Sequence, residues 1–320
     1  MKDYIKTPKT TCGDKQIVCV TGASGTIGSR IVHLLVKNGY KVRALSRKPD
    51  YCVPGVEHYL GGIEDEDVLE AFISGADAVF HCAAELNDEK RMWDVNVLGT
   101  ERLLSIAKDS NIKYLCYLSS AGVVGRTNIK WVDEKIKCEP HNVYERSKWT
   151  AEQLVSKGID GCQIVILRPT NVVDSEHPGA IDLLINGSWL SWFKVFLKGG
   201  ECAHIVHAKD VAEAALYFIS RPFKNPQCFF VSCDHEPLNT FAGIWALYKA
   251  FKKNRPLEGI RPAPHLPLIV PHILRRLWRG RSNRGDVRYS SEKLMSKGFK
   301  FPLDFKETVK QIVSALDLEQ

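Results

Sequence analysis

Residues 17–30 read I-V-C-V-T-G-A-S-G-T-I-G-S-R and carry the main fold signal of the chain. A short apolar run from Ile17 to Val20 is typical of a buried parallel strand, and apolar residues at helical spacing follow from Ile31 to Val36. Between them lies a turn with three glycines. This order predicts the first half of a dinucleotide-binding βαβ unit, because glycines let the backbone approach a pyrophosphate and a helix N-terminus offers it unpaired N–H groups; the alternative is a tight turn without a ligand. The cofactor contacts predicted here are Gly22, Ser24, Gly25, Thr26, Ile27 and Gly28.

Composition is that of an ordinary globular enzyme. The 320 residues suffice for one large or two modest domains, and the formal net charge of +7 is mild. The sequence has no long Lys/Arg block of the kind that binds nucleic acid, and no apolar run long enough to span a membrane. The ten cysteines show no zinc spacing, so no metal site is predicted. Because the N-terminus does not resemble a signal peptide, these cysteines favour a reducing cytoplasm.

The end of the second predicted strand favours NADP(H) over NAD(H). The strand runs from Lys41 to Leu45 and is followed by Ser46-Arg47-Lys48. In a dinucleotide fold this strand end faces the adenosine ribose, where an acidic residue would bind a free 2′-hydroxyl. Ser46 and Arg47 suit a 2′-phosphate instead. The alternative is a solvated basic turn.

A tyrosine and a lysine one helical turn apart are the candidate catalytic pair. Residues 142–157 predict a helix that carries Tyr144 and Lys148 on one face. A phenol has a pKa of about 10 and is a poor acid at neutral pH, but a neighbouring ammonium should lower the pKa of Tyr144. Ser120, at the end of a predicted strand, can hydrogen-bond a substrate oxygen. Together the three residues predict a proton-transfer site beside a hydride carrier, and the alternative is an unrelated surface pair.

Six motifs, in this order, resemble the extended, epimerase/dehydratase-like branch of the short-chain dehydrogenase/reductase superfamily. They are T-G-A-S-G-T-I-G, H-C-A-A, N-V-L-G-T, S-S-A-G-V-V-G, Y-E-R-S-K and L-R-P-T-N-V-V. The S-A-x-V-x-G form of the fourth motif selects Ser120 over Ser119 as the catalytic serine. The resemblance implies a doubly wound parallel Rossmann sheet in residues 15–170, joined by a late strand near 229–233, and a mainly substrate-binding domain in residues 171–320. It implies further cofactor contacts from Ile63, Ala83, Ala84, Tyr144, Lys148 and Pro169.

The substrate is less well specified. The family includes nucleotide-sugar epimerases, ketoreductases, 3β-hydroxysteroid dehydrogenases and dihydroflavonol reductases. Six arginines between Arg275 and Arg288 suit a diphosphate, with Arg284 as the candidate substrate contact, and the alternative is a solvated basic face. We therefore expect an NADP-dependent oxidoreductase or epimerase acting on a nucleotide sugar.

An apolar set leaves other possibilities open. It extends from Trp189 to Phe196 and from Leu266 to Val270. These residues could line a pocket for a sterol-like ketone or contact a membrane surface. The alternatives are that they form part of the core or the interface of a homodimer. A non-catalytic NADP-binding regulatory protein is the third functional alternative.

Overall fold

A seven-stranded parallel sheet forms the centre of the computed structural model, which describes residues 16–179, 181, 184, 189–224, 226–279 and 285–318. The strands follow the order β10-β7-β5-β4-β1-β2-β3. They are β1 (Ile17–Thr21), β2 (Lys41–Ser46), β3 (Val56–Leu60), β4 (Ala78–His81), β5 (Tyr114–Leu118), β7 (Gln163–Pro169) and β10 (Gln227–Val231). The predicted doubly wound Rossmann sheet is confirmed.

Helices cover both faces of this sheet. In chain order they are α1 (Thr26–Lys37), α2 (Glu66–Ile73), α3 (Glu89–Trp93), α4 (Gly99–Asp109), α5 (Val143–Ser156), α6 (Trp189–Lys198), α7 (Ala208–Tyr217), α8 (Phe241–Lys252), α9 (Ile269–Arg279), α10 (Glu292–Ser296) and α11 (Phe305–Leu318). Side chains of α1, α7, α8 and α11 join one hydrophobic cluster, while those of α2, α4 and α5 join the other. The continuous apolar runs of the inner strands arise because both faces of the sheet are buried.

One predicted helix differs from the observed one. The sequence predicts an unbroken helix from Trp93 to Ser110, whereas the structure has a π-helical turn, Asp94–Leu98, between α3 and α4. The turn ends where Gly99 packs against Ile63, since a Cβ at Gly99 would lie 2.6 Å from the Ile63 side chain. The π turn presents Asn96 to the neighbouring elements.

Later segments complete the fold around the sheet. Strand β10 pairs in parallel with β7 at the edge of the sheet. Two short parallel pairs lie outside it: β8 (Asn171–Val173) with β9 (Ile205–His207), and β6 (Trp131–Val132) with β11 (Arg288–Tyr289). Among the described residues, no helix combines the length and apolar character needed to cross a membrane.

Candidate functional site

A cavity of about 1010 Å³ opens where the parallel strands end. The residues that follow β1, β3, β4, β5 and β7 border it, as expected for a ligand site of an open α/β sheet. The predicted cofactor and catalytic residues on its wall are Gly22, Ser24, Gly25, Thr26, Ile27, Gly28, Ser46, Arg47, Ile63, Ala83, Ala84, Ser120, Tyr144, Lys148 and Pro169. Strands β8 and β9 close the other side through Val172 and Ile205. Arg284 lies outside the described residues.

The glycine turn has the shape that a pyrophosphate needs. Gly22 adopts a φ of 63°, and a Cβ there would lie 2.7 Å from the Ala83 nitrogen. A Cβ on Gly28 would collide with the carbonyl oxygen of Gly22. Helix α1 carries no acidic residue in its first turn, so no carboxylate there offsets the partial positive charge of its N-terminus. These features fit a dinucleotide.

The basic end of β2 also borders the cavity. The Ser46 hydroxyl donates to Ser24 Oγ over 2.8 Å and accepts from the Lys48 N–H over 3.0 Å. Arg47 is half exposed, with Nη2 3.9 Å from Glu85 Oε2. Backbone N–H groups that donate to Glu85, the one from Asn87 contributing most, lower its pKa. A guanidinium therefore stands at the cavity edge beside one ionised carboxylate.

Two neighbouring serines have different partners. The Ser119 hydroxyl is buried and donates to Glu152 Oε2 over 2.6 Å. Glu152 in turn forms a buried two-bond pair with Arg168, with Nη2 to Oε1 at 2.5 Å. Ser120 Oγ accepts from the Gly122 N–H over 3.1 Å and is hydrogen-bonded to Tyr144. Of the two hydroxyls, the one on Ser120 is therefore linked to Tyr144.

Burial dominates the electrostatics of Tyr144 and Lys148. Burial raises the pKa of Tyr144, and the hydrogen bond with Ser120 opposes that shift. Burial also lowers the pKa of Lys148 to about 7. The Lys148 ammonium donates to the Leu118 carbonyl over 2.5 Å and lies 4.4 Å from the centre of the Tyr117 ring. The Tyr144 pKa is thus raised in this structure and not lowered as expected, because desolvation outweighs the hydrogen bond with Ser120.

A buried histidine shapes the floor of the cavity, and sequence analysis did not assign it a role. His81 Nε2 contacts the Thr100 hydroxyl at 2.9 Å, and that hydroxyl donates to the Asn96 carbonyl. Nε2 must therefore be the donor, and Nδ1 accepts from the Thr21 hydroxyl at 2.8 Å. Burial lowers the His81 pKa to about 3 and keeps the ring neutral. The Thr21 oxygen also accepts from the N–H of Ala83, which fixes the chain where it borders the cavity.

Asn96 continues this network to the helix that carries Tyr144. Its amide oxygen accepts from the Glu85 N–H over 2.7 Å, and its nitrogen donates to the Glu85 carbonyl over 3.0 Å. The same nitrogen donates to Ser147 Oγ, and the Ser147 hydroxyl donates to the Tyr144 carbonyl. The N-V-L-G-T motif pointed to Asn96, but the partners only became clear from the structure.

A second cavity of about 760 Å³ is rich in cationic groups. Its wall consists of Arg126, Thr127, Asn128, Ile129, Lys135, Ile136, Lys137, Glu139, His141, His272 and Arg276. Along the chain, Arg126 follows Ser120 closely and His141 directly precedes the N-cap of α5, the helix of Tyr144. Arg288 is not part of this wall, because it donates to the Asp234 carbonyl instead.

A sequence model described as the NAD dependent epimerase/dehydratase family matches residues 18–229, about two thirds of the chain. The chain belongs to this family. The fold, the glycine turn and the order of the motifs in this epimerase/dehydratase chain agree with that assignment.

Named relatives of this epimerase/dehydratase chain are enzymes. It is 29% identical over 248 residues to a 3 beta-hydroxysteroid dehydrogenase/Delta 5-->4-isomerase of Mycobacterium tuberculosis, covering 70% of this chain and 66% of that protein. It is 28% identical over 172 residues to the N-acetyl-alpha-D-glucosaminyl-diphospho-ditrans,octacis-undecaprenol 4-epimerase of Escherichia coli O157:H7, covering 51% of each. The matches thus span about half to two thirds of these relatives. The prediction of an enzyme of the dehydrogenase/reductase or epimerase type is confirmed at the level of the family.

Solved structures agree on the fold. The Bordetella bronchiseptica enzyme WbmH, in complex with NAD+, superimposes with a TM-score of 0.73 at 21% identity. The superposition covers 94% of this chain and 98% of that one.

Proposed function

We propose that the chain is an NADP-dependent oxidoreductase or epimerase that acts on a hydroxyl or ketone of a diphosphate-linked sugar such as a nucleotide sugar, by Ser-Tyr-Lys catalysis. The observation that carries the proposal is the convergence of Ser120, Tyr144 and Lys148 on one cavity with the glycine turn. Residues 15–170 together with β10 serve as the cofactor domain, and residues 171–320 serve mainly the substrate.

Each catalytic residue has a separate task. When bound, the nicotinamide cofactor supplies or accepts the hydride and, in its oxidised form, adds positive charge near the phenol. Tyr144 exchanges a proton with the substrate oxygen, and Ser120 hydrogen-bonds the same oxygen. Lys148 holds the nicotinamide-side ribose from its buried position beside Leu118. A neutral ketone thus becomes a neutral alcohol, since the hydride reaches carbon and the Tyr144 proton reaches oxygen.

The cationic cavity supports a substrate that carries a diphosphate. Arg126 and Arg276 bring two guanidinium groups to its wall, and arginine forks bind phosphate oxygens well. Lys137 is a third cation there and pairs with Glu139 over 3.1 Å. The E. coli relative acts on a diphospho-linked sugar according to its name. Arg284 would add to this binding from the adjoining sequence.

An apolar ketone is the second candidate substrate. The steroid dehydrogenase of M. tuberculosis is the relative that favours it. However, Trp192, Phe193 and Phe196 do not border the large cavity, so these described members of the apolar set do not form its substrate pocket.

A substrate panel tests the function. Purified protein with NADPH or NADP+ is mixed with nucleotide sugars, keto-sugars, lipid-linked diphospho-sugars, sterols and flavonoid ketones, and cofactor fluorescence and product mass are followed. We expect turnover of a diphosphate-linked sugar, and we expect Tyr144→Phe to slow single-turnover hydride transfer by ~10²–10⁴-fold, the usual value of general acid–base catalysis.

The control is Tyr59→Phe, which also removes a phenol hydroxyl. Tyr59 lies on β3, donates to Glu57 and does not border the cavity. Turnover of sterol or flavonoid ketones alone would favour the second candidate. Normal hydride transfer by the Tyr144→Phe protein would contradict the catalytic assignment.

Arg47 carries the cofactor preference. Replacing Arg47 by Asp should weaken NADPH binding by about tenfold or more and change NADH binding little, because a charged hydrogen bond to the 2′-phosphate is worth roughly 1.5–3 kcal/mol. Isothermal titration measures both affinities. Lys41→Asp reverses an exposed charge at the other end of β2 and serves as the control. Tighter binding of NADH than of NADPH by the unmutated protein would contradict the NADP assignment.

A further inference from the structure

Helix α9 turns its apolar side outward. Ile269, Ile273 and Leu277 recur every fourth residue and are 57%, 49% and 76% exposed. Leu274 beside them is exposed as well, whereas Pro271 on the other side is buried. A helix on the surface of a globular protein normally buries its apolar stripe against the core. The apolar stripe of α9 has no such cover in the part of the chain that the structure describes.

Helix α6 extends this apolar surface. Trp192 is 53% exposed and stacks on Phe196, with ring centres 5.4 Å apart, and Phe193 is exposed beside it. Helices α6 and α9 pack against each other, and the Leu266 N–H donates to the Phe196 carbonyl over 2.8 Å just before α9 begins. We call the exposed apolar side chains of both helices the α6–α9 face. It consists of Trp192, Phe193, Ile269, Ile273, Leu274 and Leu277.

All charged side chains in the segments that contain α6 and α9 are positive. Residues 183–200 contain two lysines, and residues 259–285 contain six arginines, with no aspartate or glutamate in either range. Lys194, Lys198 and Arg276 are exposed. An apolar helix face flanked by cations, with a tryptophan at its border, is the pattern that lies in the headgroup region of a bilayer.

We propose that the α6–α9 face docks on the surface of an anionic lipid bilayer. The apolar side chains enter the boundary between headgroups and acyl chains, and Lys194 and Lys198 contact lipid phosphates. At 11 residues, α9 is about 16 Å long and lies along the surface, since a spanning helix needs about 30 Å. A second copy of the chain is a poorer partner, because the cations that flank the α6–α9 face of one copy would repel those of the other. The proposal does not depend on the proposed catalytic function.

Vesicle sedimentation of the full chain tests the docking. One set of vesicles contains phosphatidylcholine alone, and the other contains equal amounts of phosphatidylcholine and phosphatidylglycerol. We expect the protein to bind the anionic vesicles, and we expect this binding to weaken in high salt. Binding to the neutral vesicles should be weaker than binding to the anionic ones. Leu277→Asp should reduce partitioning by about tenfold or more, because it removes buried apolar area and adds a repelled charge.

Leu60→Asp is the matched control, since Leu60 is 61% exposed on β3 and outside the α6–α9 face. It should bind like the unmutated protein, and melting temperatures check that all variants are folded. The proposal is overturned by absent binding to anionic vesicles or by equal losses in both variants. It is also overturned if ultracentrifugation shows a dimer that Leu277→Asp dissociates while vesicles are ignored, which would assign the face to a second copy.

Discussion

At the scale of single residues, the buried lysine of α5 is held in an environment that disfavours its charge. Lys148 is buried beneath the cavity, and its ammonium has the Leu118 carbonyl and the Tyr117 ring as its described contacts. Burial is the main reason that its pKa falls from 10.5 to about 7, while Cys82 and Glu152 act in the opposite direction. Burial of an ammonium destabilises the fold unless the charge is paired, and this cost agrees with the proposed role of Lys148 in cofactor binding and proton transfer.

The lowered pKa of Lys148 makes the stability of the protein depend on pH. Between about pH 7 and 10.5 the unfolded chain holds a proton that the folded chain has lost. The free energy of unfolding therefore gains a contribution that rises with pH across this window. Lys148→Met removes that contribution. Between pH 7 and 10, we therefore expect the free energy of unfolding of the variant, relative to that of the unmutated protein, to be highest at pH 7 and lowest near pH 10.

Urea unfolding at several pH values between 7 and 10 measures this difference in the absence of cofactor. Lys37→Met, which changes an exposed lysine at the end of α1, should leave the pH slope unchanged. Parallel pH profiles of the unmutated and Lys148→Met proteins would show that the Lys148 pKa is not lowered by folding.

At the scale of elements, the π turn between α3 and α4 links the cavity floor to the helix of Tyr144. Asn96 lies in the turn, and its side chain makes three hydrogen bonds, two with the backbone of Glu85 and one with Ser147. An ordinary α-helical turn would place the Asn96 side chain at a different angle around the helix axis. Asn96 would then no longer face both Glu85 and Ser147. Single π turns inside α-helices often occur at functional sites.

Removal of the Asn96 side chain should disturb stability and catalysis together. Asn96→Ala leaves the N–H of Glu85 without its partner, which costs about 1–3 kcal/mol when the group stays buried. We expect a lower urea midpoint and slower hydride transfer, with a smaller change in cofactor affinity because the glycine turn is intact. Asp94→Ala alters an exposed residue of the same turn and is the control. Unchanged hydride transfer in a folded Asn96→Ala protein would limit Asn96 to a structural role.

At the scale of the whole molecule, one buried aspartate connects the late segments to the sheet. Asp234 follows β10, and its Oδ1 accepts from the Asn239 amide. Its Oδ2 accepts from the Tyr289 N–H and lies 2.7 Å from His204 Nδ1. Arg288 donates to its carbonyl. The segments around β9, β10 and β11 thus meet at one carboxylate, and β9 reaches the large cavity through Ile205. The β9 side of the cavity depends on chain segments that are distant in sequence.

The sequence by itself determined the cofactor half of the molecule. The glycine turn, the alternation of apolar strands and helices, and the four-residue spacing of Tyr144 and Lys148 are local patterns, and local patterns specify local structure. The predicted ends of β1 and β2 therefore differ from the observed ones by one residue, and the predicted cofactor residues from Gly22 to Pro169 meet at one cavity. Local signals also marked N-V-L-G-T as a notable segment.

The tertiary structure alone decided the environment of those residues. It showed that His81 is neutral within a hydrogen-bond network, that burial raises the Tyr144 pKa, and that Arg288 donates to the Asp234 carbonyl. It also turned the apolar stripe of α9 outward, although its spacing in sequence equals that of a helix packed on a core. Desolvation, hydrogen-bond partners and exposure depend on which distant segments pack against a residue, and no local pattern contains that information.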